Sequence, residues 1–159
     1  MKKFTPIIIV ISIIITIALV WQLNIKKEAD TNLEPMNPVG NLDMGNAEEK
    51  KDFIRVSSPK PNDLIKSPFV IKGEARGNWF FEASFPIKLI NTEGKEVPLS
   101  QGYIMTAENW MTTDFVSFEQ VITFPPQKAG RGKLILMKDN PSGLPQYDDE
   151  LVIPVLFGQ

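Results

Sequence analysis

Between Phe53 and Phe157 the apolar residues recur at every second position in short runs. A chain written with that period can bury one face of a strand but not one face of a helix. The clearest run is 81–89, where Phe81, Ala83, Phe85, Ile87 and Leu89 fall on one face and Glu82, Ser84 and Lys88 on the other. The face that carries Phe81 is therefore expected to be core. Val116, Phe118, Ile122 and Phe124 repeat the pattern, with Ser117, Glu119 and Thr123 turned to water, and Leu151, Ile153, Val155 and Phe157 repeat it again. Strands are predicted over 53–57, 69–75, 81–90, 97–105, 116–124, 133–138 and 151–157, and no run has a helical period.

The connections carry turn chemistry. Asn91-Thr92-Glu93-Gly94 follows the third run, Lys128-Ala129-Gly130-Arg131-Gly132 precedes the sixth, and Asn140-Pro141-Ser142-Gly143 follows it. Seven short strands joined this way in about 100 residues predict an all-β fold, a two-sheet antiparallel sandwich of the immunoglobulin type. The chain has no cysteine, so the disulfide of antibody domains is excluded and packing alone must hold the sheets together.

Upstream lies a different kind of sequence. Lys2 and Lys3 precede an uncharged, isoleucine-dense stretch through Trp21. The segment 6–25 has the length of about 20 residues that a bilayer core demands of a helix, and Trp21 suits the interfacial belt. Residues 1–27 are therefore predicted to be a transmembrane anchor, placing the rest of the chain outside the cytoplasm. The alternative is a secreted protein whose signal peptide is cleaved, but Ala18-Leu19-Val20-Trp21 is a poor small-x-small site. Residues 28–52 hold seven acids against two lysines and few aliphatics, and are predicted to be a flexible acidic linker. The folded domain is predicted over 53–159.

Composition closes off much chemistry. After residue 27 there are 13 basic and 19 acidic groups, a net charge of −6, which is no nucleic-acid surface. Without histidine or cysteine there is no Ser-His-Asp triad, no thiol nucleophile, and no zinc site built on imidazole or thiolate. No cofactor is expected.

The residues also resemble a known family, the immunoglobulin-like domain associated with bacterial spore germination. The resemblance rests on Val56-Ser57-Ser58-Pro59, Ser67 to Ala75, Trp79-Phe80-Phe81-Glu82-Ala83, Trp110 with Phe115 to Phe118, and Asp139-Asn140-Pro141-Ser142-Gly143. It spans 54–157. It implies an immunoglobulin-like sandwich in a bacterial surface or exported protein and brings no catalytic residues with it.

Two functions from different classes follow. The first is a membrane-anchored, non-catalytic binding or structural module of the bacterial cell envelope, whose partner is another envelope protein or a cell-wall polymer. Its binding residues are expected to be Trp79, Phe80 and Trp110, aromatic side chains that alternation cannot all place inside. The second is an envelope enzyme of unrecognised type using the carboxylates Glu82, Asp114 and Asp148. Glu82 is also readable as an acceptor for Arg76 or backbone groups near a bend. No second carboxylate stands at a spacing that would complete an acid/base pair. The acids at 148–150, with Asp139 and Asn140, offer oxygen ligands of the kind calcium takes, but their spacing matches no EF-hand loop and they read first as a solvated acidic loop.

Overall fold

The computed structural model describes residues 43–158. They form two sheets from nine strands: β1 (Ile54–Ser58), β2 (Leu64–Ile65), β3 (Phe69–Arg76), β4 (Ser84–Ile90), β5 (Glu96–Val97), β6 (Tyr103–Met105), β7 (Phe115–Ile122), β8 (Gly130–Met137) and β9 (Glu150–Phe157). The first sheet has the order β1-β3-β7; the second runs β2-β9-β8-β4-β5, and β6 also pairs with β4. Lettered as an immunoglobulin domain, β1, β3 and β7 stand as A, B and E, and β4, β8 and β9 as C, F and G. All pairings are antiparallel except β2 with β9, which is parallel. The single α-helix among the described residues is α1 (Ala47–Lys50). No helix there is long and apolar enough to cross a membrane. The predicted anchor at 1–27 lies outside the described residues.

The inward positions read from alternation hold on β4, β7 and β9: Phe85, Ile87 and Leu89, then Val116, Phe118 and Ile122, then Leu151, Ile153, Val155 and Phe157 are all buried. Phe85 of β4 meets Phe118 of β7 edge to face with ring centroids 5.3 Å apart, and meets Phe80 at 5.1 Å. A second chain of rings joins Phe69 of β3 to Phe124 and Phe124 to Phe157 of β9, each at 5.7 Å. Each chain ties one sheet to the other.

Three differences from the sequence reading have physical causes. The third strand starts at Ser84 rather than Phe81, because Phe81 to Ser84 form a tight turn with both central residues at positive φ. Phe81 consequently leaves the face expected to be core and is 39% exposed. The predicted run 97–105 is two strands. Pro98 has no N–H for a ladder, and the segment between them leaves β4 for the other sheet, where Ser100 N donates to Thr123 O (2.9 Å) and Thr123 N to Ser100 Oγ (3.0 Å). β2 went unpredicted because two residues carry no readable period. Pro59 and Pro61 end β1, and the chain crosses to lay Leu64 and Ile65 beside Leu156 and Phe157.

The last ten residues of the predicted linker are docked on the sandwich. Asn46 N donates to Val152 O (3.3 Å), Val152 N donates to Asn46 Oδ1 (2.7 Å), and Asn46 Nδ2 donates to Glu150 O (2.9 Å). The side-chain amide thus does for the upper half of β9 what β2 does for its lower half: it pairs the free edge. Asn62 Nδ2 donates to Asp43 O (2.8 Å), and Lys50 reaches Asp149 at 2.9 Å. Hydrogen bonding to Asp149, then to Glu49, raises the Lys50 ammonium above the ordinary lysine value. A raised lysine stabilises the fold at every pH below its unfolded value, and that contribution is lost only as pH rises through the elevated folded value.

Two substitutions test this account in chemical denaturation of the full chain. Phe85→Ala, which empties the fully buried position between Phe80 and Phe118, is expected to cost about 3–5 kcal/mol. Asn46→Ala leaves Val152 N–H and Glu150 C=O without their partner and is expected to cost about 1–3 kcal/mol. An unchanged midpoint for Asn46→Ala would show that the side-chain amide of Asn46 adds nothing to the fold.

Candidate binding surface

The strand registers bring three connections to one end. Arg76 at the close of β3 pairs with Phe115 at the start of β7, Ser84 at the start of β4 with Met105 at the close of β6, and Met137 at the close of β8 with Glu150 at the start of β9. The loops 77–83, 106–114 and 138–149 are therefore neighbours.

They also interlock. Gly77 N donates to Asp114 O (3.1 Å), Asp139 N to Trp79 O (3.0 Å) and Thr106 N to Ala83 O (3.0 Å). A Cβ at position 77 would collide with the carbonyl oxygens of Trp110 and Thr112, so only glycine lets the first two loops approach this closely. Arg76 fastens the base: Nε donates to Asp52 O (3.1 Å), Nη1 donates to Thr113 O (3.1 Å), and the guanidinium lies 4.1 Å from the centroid of Phe115, as that of Arg55 also does. It is not the partner of Glu82. Within the third loop Asn140 Nδ2 donates to Leu144 O (2.9 Å) and to Asp148 Oδ1 (2.7 Å), and Gly143 takes φ +64°.

Of the three aromatic residues expected to bind a partner, two are interior. Trp79 is 1% and Phe80 3% exposed. Trp79 closes the 3₁₀ turn Gly77–Trp79, and its Nε1 is buried without a hydrogen-bond partner. Packing alone therefore places that ring, against the cost of an unpaired donor. Alternation failed here because the chain turns through a 3₁₀ segment before the strand begins, so successive side chains do not swap faces. Phe81 is the ring that emerges. It meets the half-buried Trp110 edge to face at 6.3 Å, and Met111 beside Trp110 is 75% exposed. Leu144 and Tyr147 of the third loop are exposed at the same end. Sequence reasoning assigned Phe81 to the core face and did not single out Leu144 or Tyr147. The two-residue hairpin that turns Phe81 outward carries neither Asn nor Gly, the usual signal for that turn.

The three carboxylates named as catalytic candidates each have their own setting. Glu82 sits on the exposed hairpin, Asp114 Oδ2 accepts from Thr112 Oγ1 (3.4 Å), and Asp148 accepts from Asn140; they stand on three separate loops. Asp149 is taken by Lys50. Among the described residues no group of three or more His, Cys, Asp or Glu is placed to hold a metal ion. An open groove of about 680 Å³ lies across β1, β3 and β7 beside residues 105–108. Four of its charges pair with each other, Arg55 with Glu74 (3.1 Å) and Lys72 with Glu119 (2.8 Å), while Glu108 Oε2 accepts from the neutral Ser117 N–H (3.3 Å).

The hairpin that projects Phe81 is strained. Phe81 and Ser84 exchange two backbone hydrogen bonds (2.9 and 3.0 Å), and between them Glu82 has φ +49° and Ala83 φ +62°. Left-handed backbone costs an L-residue about 1–2 kcal/mol. Replacing both, Glu82→Asn with Ala83→Gly, is expected to stabilise the fold by about 1 kcal/mol, because that pair suits a turn with two positive φ values. A lowered thermal midpoint would contradict the turn geometry.

A family model described as the immunoglobulin-like domain of bacterial spore germination matches residues 53–144. No curated protein and no solved structure matches the chain.

Proposed function

The chain belongs to the family of immunoglobulin-like domains of bacterial spore germination, and from that membership we propose that it is a non-catalytic binding module, held at the cell envelope by its N-terminal apolar segment. The observation that carries the binding role is the exposed Phe81, turned out at the loop end of the sandwich by a strained hairpin and set edge to face on the half-buried Trp110. Strained backbone kept at an exposed tip is characteristic of sites where a side chain must be presented in one position. Aromatic anchors backed by fixed loops are also where binding energy concentrates. Phe81 replaces Phe80 and Trp79 in this role, and Trp110 keeps it. The tether is supported by the isoleucine-rich run 7–21 and its flanking lysines. Partners in reach of such a tether are envelope proteins or wall polymer.

The enzyme reading gains no support from the geometry: Asp114 is hydrogen-bonded to Thr112 and Asp148 to Asn140, each within its own loop, and Glu82 stands on an exposed hairpin. Cross-linking of the full chain in native membranes, followed by capture, tests the binding reading. Phe81→Ala and Trp110→Ala are expected to weaken capture of the cross-linked partner by about tenfold or more, with the thermal midpoint of Phe81→Ala lowered less than that of Phe85→Ala, because Phe81 is 39% exposed and Phe85 fully buried. Capture unaffected by either substitution would move the interface away from this end. N-terminal sequencing of the mature protein tests the tether: a chain starting after residue 21 and recovered in the soluble fraction would replace the anchor by a cleaved signal.

A further inference from the structure

Resting on the reading of this end as the binding surface, we infer that its partner is a cationic protein segment, a lysine- or arginine-rich stretch that carries an aromatic or aliphatic side chain. The apolar half of that description comes from Phe81, Met111, Leu144 and Tyr147, which are exposed on all three loops. The charge comes from the same loops. Residues 77–83, 106–114 and 138–149 contain six acids, Glu82, Glu108, Asp114, Asp139, Asp148 and Asp149, against one base, Lys138, a net charge of −5. Lys50 neutralises Asp149, leaving −4. The hydrogen bonds that Glu108 and Asp148 accept come from neutral groups and leave their charge in place.

The opposite end has the other sign. Its connections, 59–63, 66–68, 91–95 and 123–129, hold Lys60, Lys66, Lys95 and Lys128 against Asp63 and Glu93, a net charge of +2. The domain is thus polarised along its length, and the field at the loop end draws cations and repels anions over about a Debye length, ~10 Å at 0.1 M salt. Anionic wall polymer and anionic lipid headgroups are disfavoured there, and two copies meeting by their like ends would oppose acid to acid. A cationic segment with an apolar anchor satisfies both features: its ammonium or guanidinium groups face the carboxylates, and its anchor covers the Phe81 and Met111 side chains.

The probe is a fluorescent dodecapeptide of three Lys-Trp-Lys-Leu repeats, titrated into the full chain held in zwitterionic lipid nanodiscs. Three companions have the lysines replaced by glutamine, the lysines replaced by glutamate, or the apolar residues replaced by serine. The lysine peptide with its apolar residues is expected to bind at least about tenfold tighter than each companion, and more weakly as salt is raised. Phe81→Ala, and separately the double reversal Glu82→Lys with Asp148→Lys, are expected to weaken it by about tenfold or more. Glu93→Lys with Glu96→Lys, an equal change of charge away from the loop end, leaves it unchanged. If Phe81→Ala lowers the melting temperature, the exposed charge reversals decide. Equal binding of the glutamine peptide, or tighter binding of the glutamate peptide, overturns the cationic partner while leaving the loop end as the binding surface. Absence of binding by the lysine peptide overturns it too. Binding that ignores every loop-end substitution overturns both the partner and the surface. Concentration-dependent self-association abolished by the Glu82→Lys with Asp148→Lys reversal would assign the loop end to the basic end of a second copy instead.

Discussion

The sandwich depends on the contact between Phe85 and Phe118, because no covalent bond joins its sheets. Where antibody domains place a disulfide between the two layers, this chain sets two rings edge to face at 5.3 Å and extends the stack to Phe80. The arrangement asks more of its surroundings than a disulfide would. Ring pairs contribute about 0.5–1.5 kcal/mol beyond the area they bury, so the stack holds only while water is kept from both flanks. Phe69, Phe124 and Phe157 close one flank. On the other, Trp79 and Phe80 close the loop end, which explains why such large aromatic residues were spent on a loop.

The same need accounts for the odd path between β5 and β6. A sheet of three strands beside one of six leaves β7 at an edge, and an open edge invites pairing with foreign strands. Ser100 reaches Thr123, Gln120 Oε1 accepts from Met105 N (3.1 Å), Gln120 Nε2 donates to Tyr103 O (3.0 Å), and Thr106 Oγ1 donates to Ser117 O (2.9 Å). Side chains here do the work of a missing ladder. That seal brings residues 106–114 up against β7, so the structural solution to an exposed edge also positions Trp110 beside Phe81. Fold and binding surface share these bonds.

The period-two pattern was a sound guide wherever a strand was long and faced the core, as for Phe85 to Leu89, Val116 to Ile122 and Leu151 to Phe157. It was silent on β2, whose two residues have no period, and it erred at 81–83, where the apolar Phe81 and Ala83 were assigned to a strand that begins only at Ser84. That error propagated to the candidate site, exchanging Phe80 for Phe81 as the outward ring. Nothing local would have corrected it, since Glu82-Ala83 is a poor sequence for a turn with two positive φ values, and the Thr106 N bond that Ala83 O accepts comes from a distant loop. The part of the linker that docks, 43–52, was illegible for another reason: Asn46 pairs with Glu150 and Val152, a hundred residues away, and such a contact leaves no mark in local composition.

The docked segment also decides how the domain answers a mechanical pull. Force applied at Asp43 meets the Asn62 and Asn46 bonds and then the Lys50–Asp149 ion pair before any of it reaches β1. These contacts are few and lie near the surface, whereas β1 is held by a ladder along β3. Peeling therefore precedes unfolding, and the ten freed residues span up to roughly 30 Å at full extension. A domain pulled from this side yields to load by letting out chain before its sheets separate.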